Sequence, residues 1–152
     1  MACPEIFVLS SSYSRGLRLL NARKQVLLQD DIQTSQPLLW RAHTNATIAV
    51  NSQGNGATLT IGDKSLQMTV LSPTSGVTIT SEQAVRFQND PPLPSGGADS
   101  PNPGVSVITI SLPAGQYSLQ ILFNPQWPGM SASDFVTPPS VPLSGWTIDS
   151  HN

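Results

Sequence analysis

Prolines and glycines, 14 and 11 of them, punctuate this chain of 152 residues, and the runs between them alternate apolar with polar residues. A period of two rather than 3.6, in runs rich in Leu, Val, Ile and Thr, predicts many short strands joined by turns and no long amphipathic helix. The expected fold is all-β: an antiparallel β-sandwich with a long Pro/Gly-rich loop and an irregular C-terminal tail, in one domain over residues 1–152.

Residues 16–20 and 25–32 flank Asn21-Ala22-Arg23-Lys24, which reads as a hairpin loop. Pro37 opens a strand over 38–44, with Trp40 on one face and Arg41 and His43 on the other. Runs 46–50, 57–61 and 65–70 form a meander, its second turn being the pair Gly62-Asp63, suited to a type II′ turn. Short runs at 77–79 and 84–87 continue the style until residues 89–104, nearly all Pro, Gly, Ser, Asn and Asp, make a mobile surface loop. Residues 105–112, Pro113-Ala114-Gly115 and residues 116–123 read as a long hairpin at the centre of a sheet. The segment 124–143 is Pro-rich and irregular, and 145–149 is expected to add a last short strand.

Charge narrows the function classes. Only 11% of residues are charged, against roughly 25% in typical soluble domains, and the formal net charge is −2. Neither nucleic acid nor an anionic membrane surface is an electrostatically favoured partner. No run approaches the roughly 20 apolar residues of a membrane-spanning helix. The start, Met1-Ala2-Cys3-Pro4-Glu5, places Pro and an acid where a signal peptide carries Lys or Arg. A cytosolic protein and a piece of a longer secreted one both fit that reading. The single Cys excludes an internal disulfide and a Cys-based zinc cluster.

Chemistry-bearing constellations are scarce. Asp30-Asp31 is the only carboxylate pair, and neighbours on a strand point to opposite faces, so the two cannot share a proton. A lone His43, with His151 near the end of the chain, lacks the three or four ligands of a zinc site. No Gly-x-Ser-x-Gly elbow occurs, and neither Gly-rich stretch precedes a helix able to hold phosphate. The chain is therefore expected to be no enzyme and to carry no metal or cofactor. Arg15, Arg18, Arg23, Lys24 and Arg41 cluster early and read as solvated strand-edge charges ahead of a ligand site. Trp127 sits in the loop-forming context Asn124-Pro125-Gln126-Trp127-Pro128-Gly129, where an indole either stacks on a sugar ring or closes an end of the sandwich. Asn45-Ala46-Thr47 is the single N-glycosylation sequon, and Asn45 its candidate acceptor.

The run from Arg15 through Asp31-Ile32, followed by Leu39-Trp40-Arg41-Ala42-His43-Thr44, resembles the C-terminal β-sheet region of heparinase II/III-like polysaccharide lyases. The ending, from Leu122-Phe123-Asn124-Pro125-Gln126-Trp127 to Ser150-His151-Asn152, is similar to fungal members, so the likeness spans roughly residues 13–152. What it implies is a polysaccharide context, without implying activity. The family's catalytic groups lie mainly in an N-terminal helical toroid and its metal histidines earlier in the sheet region, and no segment here matches either. The expected function is a non-catalytic, carbohydrate-associated binding module. The alternatives are a structural domain that braces a missing toroid or self-associates, and a fragment of an active lyase. Trp127, Asn124 and Gln126 are the first candidate sugar cluster, and Trp40, Arg41 and His43 the second. A domain parted from a helical partner exposes apolar surface, so a homodimer is expected, through the strands of 15–44 or the 105–123 hairpin.

Overall fold

The computed structural model describes residues 10–86, 90–100 and 102–147. Nine strands follow in order: β1 (Ser10–Leu20), β2 (Gln25–Thr34), β3 (Leu38–Thr44), β4 (Thr47–Val50), β5 (Gly56–Ile61), β6 (Lys64–Ser72), β7 (Ile79–Gln83), β8 (Ser106–Leu112) and β9 (Gly115–Pro125). Only two short 3-10 turns, Ala132–Asp134 and Leu143–Gly145, interrupt the tail. The strands form two antiparallel sheets, one of six in the order β1-β2-β9-β6-β5-β4 and one of three in the order β3-β8-β7. The all-β expectation is met.

Alternation explains the layers. Leu28, Ile32, Leu59, Met68, Val70, Leu119 and Ile121 point from the larger sheet onto Trp40, Ile79, Ile108, Ile110 and Leu112 of the smaller one, and all are buried. Each such side chain contributes about 1.5–3 kcal/mol by leaving water. The β1–β2 hairpin closes where expected, through Asn21, Ala22 and Arg23 at φ values of 52°, 53° and 68°. The meander β4–β5–β6 is also as read, and Gly62 at φ 57° supplies the first central residue of its II′ turn.

Several local readings need correction. Residues 105–112 and 116–123 do not form a hairpin: β8 is the centre of the small sheet, while β9 lies between β2 and β6 in the large one. Both strands already have two neighbours, so Pro113-Ala114 carries the chain across the core from one layer to the other. The strand after the meander is Ile79–Gln83 rather than two runs at 77–79 and 84–87, because Thr80 to Gln83 pair with β8; Phe87 lies outside the described residues. No strand forms at 145–147, where the chain leaves a 3-10 turn, and residues 148–149 lie outside the description. The described part of 89–104 forms no strand, is exposed from Pro91 to Ser100, and is tied at its sides by Arg41–Asp90 (3.8 Å) and Arg86–Asp99 (3.7 Å).

Candidate functional site: a strapped sheet face and its polar cleft

The face of the larger sheet turned away from the core carries polar residues where an exposed face would have them. Gln25 and Gln29 are nevertheless fully buried, and Gln120 nearly so. The C-terminal tail covers them as a strap. Gln25 grips the strap's backbone with both ends of its amide: the nitrogen donates to the Val136 carbonyl (3.0 Å) and the oxygen accepts from the Val136 N–H (2.9 Å). The same nitrogen donates to Asn124 Oδ1 (2.6 Å). One layer further, Gln120 Nε2 donates to Gln29 Oε1 (2.8 Å) and to Ser140 Oγ (3.4 Å). Gln29 faces Gln120 and Asp31 faces Ser118 across the β2–β9 ladder, so these polar groups meet because the register aligns them.

At its far end the strap is anchored by Trp146, which donates from its indole to the Val141 carbonyl (3.1 Å) and rests on Leu20, Leu27 and Leu122. This requires Gly16. A Cβ built there would sit 2.5 Å from Leu143 Cδ2 and 2.7 Å from the Trp146 ring.

Beside this anchor, β1, β2, β9 and the strap enclose a cleft of about 320 Å³, lined by Ser12, Asp31, Gln33, Gln116, Ser118 and Ser140, with Tyr117 and Pro142 on its walls. Asp31 is held in place: Oδ1 accepts from Ser118 Oγ (2.8 Å) and Gln29 Nε2 (3.0 Å), and Oδ2 from the Leu143 N–H (3.4 Å). A register shift between Ser10 and Ser12 bends β1 at the rim. The lining therefore offers hydroxyls, amides and one fixed carboxylate, with no Lys or Arg. The volume sits at the low end of the roughly 300–1,000 Å³ of small-molecule pockets.

The sequence-derived candidates fall in three places. Trp127, Asn124 and Gln126 lie at the C-terminal end of β9, away from the cleft, with their side chains on different partners. The indole N–H donates to the Lys24 carbonyl (3.0 Å), which fixes the ring while leaving it about half exposed. Asn124 and Gln126 are largely engaged, Asn124 Oδ1 by Gln25 and Gln126 Nε2 by the Asn124 carbonyl (3.0 Å). Trp40 must be removed from the second cluster: it is buried in the core, and its indole donates to Asp30 Oδ2 (3.0 Å). Arg41 and His43 lie on the opposite face of β3, with Arg41 beside Asp90 and His43 exposed. Asn45 is exposed in the bend between β3 and β4.

Asp30 and Asp31 do point to opposite faces. Asp30 is fully buried and takes two 2.7 Å bonds from Arg15, from Nε and Nη2, besides that from Trp40. Arg15 is thus more than a solvated edge charge. The hydrogen bond to Asp30 raises its pKa further, and burial together with the Asp30 charge raises that of Tyr13, whose ring centroid lies 5.6 Å from the guanidinium carbon. Among the described residues no group of three or more His, Cys, Asp or Glu is placed to hold a metal ion.

No protein-family model matches the chain, and a search of curated proteins returns no match. The likeness to heparinase II/III-like lyases rests on the order of residues in the sequence alone.

Sequence reasoning missed the cleft. Its members come from three strands and the strap, and their only local signal was a set of Gln, Ser and Asp residues on the β2 and β9 positions opposite the apolar ones.

Proposed function

We propose that this chain is a non-catalytic carbohydrate-binding module whose cleft between β2, β9 and the strap takes one neutral sugar ring. The observation that carries the reading is the lining: a carboxylate fixed by three donors, amides and hydroxyls, and no cation. Sugar hydroxyls both donate and accept, and such a mixture answers them without the Arg or Lys that a uronate or sulfate would need. Trp127 supports the reading with a held, half-exposed indole suited to stacking at the other end of the same sheet.

A glycan array followed by calorimetry tests this. Neutral glycans should bind in preference to uronate-rich or sulfated ones, and Gln116→Ala or Ser140→Ala should each weaken binding roughly three- to tenfold, the worth of one hydrogen bond. Absence of binding to every neutral and acidic glycan would end the proposal and leave the structural and self-associating reading. That second reading has its own support in β1.

A further inference from the structure

The strand β1 ends the larger sheet, and no described strand pairs with its outer edge. At 11 residues it equals β9 as the longest strand of the fold. Sandwich proteins usually keep such edges short or covered, because a free row of backbone N–H and C=O groups recruits another strand. Here the edge is also apolar on one side. The smaller sheet has three strands against six, and its β3 lies against β2, as the Trp40–Asp30 bond shows. β1 overhangs it. Tyr13, Leu17 and Leu19, on the face that elsewhere builds the core, are consequently 50%, 66% and 52% exposed. In a chain with so few charged residues, these three stand along one edge of that face, with Arg15, bound to Asp30, between Tyr13 and Leu17.

We propose that this edge pairs with β1 of a second copy of the chain, antiparallel about a two-fold axis, so that two six-stranded sheets become one. The sequence of the strand is what selects a second copy. With Gly16 on the axis, Tyr13 meets Leu19 and Arg15 meets Leu17 on the apolar face, while Arg18 meets Ser14 on the other. No cation faces a cation. Arg15 adds no repulsion between copies, because Asp30 of its own chain neutralises it through two 2.7 Å bonds. The contact is a strip one strand wide, below the roughly 800 Å² per partner of tight complexes, so the dimer forms and dissociates with concentration. The inference does not depend on the glycan reading.

Sedimentation over a ~100-fold concentration range should show monomer passing into dimer. Leu17→Lys and Leu19→Lys place cations on the apolar row at exposed positions and should raise the dissociation constant at least about tenfold, with an unchanged circular dichroism spectrum. Leu39→Lys, exposed on β3, serves as the control and should leave it unchanged. Amide exchange in β1 should slow as concentration rises. A chain that stays monomeric throughout, or a dimer that survives both lysine substitutions, overturns the proposal.

Discussion

β1 and β2 are hydrogen-bonded neighbours in a single hairpin, yet their surroundings are nearly opposite. β2 is enclosed on both sides, by the core on one face and the strap on the other, and even Gln25, Gln29 and Asp30 are without solvent contact. β1 is covered on one face only around Gly16 and Leu20, and its other face carries the exposed Tyr13, Leu17 and Leu19. The difference lies in what stands over each strand rather than in the strands themselves. One step outward in the sheet, the smaller layer stops.

The largest effect should come from the one bridge between the two strands that reaches the core. Arg15→Met leaves the Asp30 carboxylate in a dry site with no cation and only the Trp40 indole and Tyr13 beside it, and should destabilise the fold by about 3 kcal/mol, the lower end for a broken buried pair because Arg15 itself is partly in water. Urea unfolding measures it. A loss within about 0.5 kcal/mol, typical of surface substitutions, would mean that β2 is no more enclosed than its neighbour.

Gln25→Ala sharpens the comparison from the strap side. Removing the amide orphans both backbone groups of Val136 and the Asn124 oxygen, and about 2 kcal/mol should be lost. Limited proteolysis should then cut within 131–143 while the core strands persist. Equal resistance to protease in the variant and the parent would show that the strap's other anchors, at Asn21, Gln120, Asp31 and Trp146, hold it without Gln25.

The smallest effect concerns the strap's first turn. Asp134 is held below its ordinary pKa of 3.8, first by the Ser131 N–H and then by the Ser131 hydroxyl. Since the folded value lies below the unfolded one, the stabilisation is fully present above about pH 3.8 and fades as pH falls through the lower, folded value. Nuclear magnetic resonance titration of the Asp134 carboxyl should place its midpoint under 3.8. Ser131→Ala should move it only part of the way back, because the backbone donor remains.

The strands were legible in the sequence because a half-buried sheet writes its two faces into alternate positions. That pattern placed β3, the meander and the β1–β2 hairpin to within a residue or a few at most ends. It contains no information on which strands pair across a turn, so the two strands flanking Pro113-Ala114 were read as partners although they belong to opposite layers. The outer face of β2 was illegible for a related reason. Gln25 and Gln29 read as solvated because the segment that buries them is Pro-rich and has no period of its own. Trp127 was legible as a loop indole open to a sugar or to the sandwich end, while the Lys24 carbonyl that holds it was not. Alternation along β3 had already set Trp40 on the opposite face from Arg41 and His43, and its buried ring bears that out, so grouping the three as one site ran against the strand's own period.

The crossing at Pro113-Ala114 also bears on how the chain acquires its fold. The β1–β2 hairpin and the β4–β6 meander are built from near neighbours in sequence, and such contacts close quickly. β9 has no local partner. It joins β2, about 90 positions earlier by the Leu28–Ile121 pair, to β6, about 50 positions earlier by the Val70–Ile121 pair. Until β9 is made, the hairpin and the meander are separate pieces of one unfinished sheet, each with an open edge. On a ribosome, where the chain emerges from its N-terminus, the larger layer is therefore completed only with its last strand.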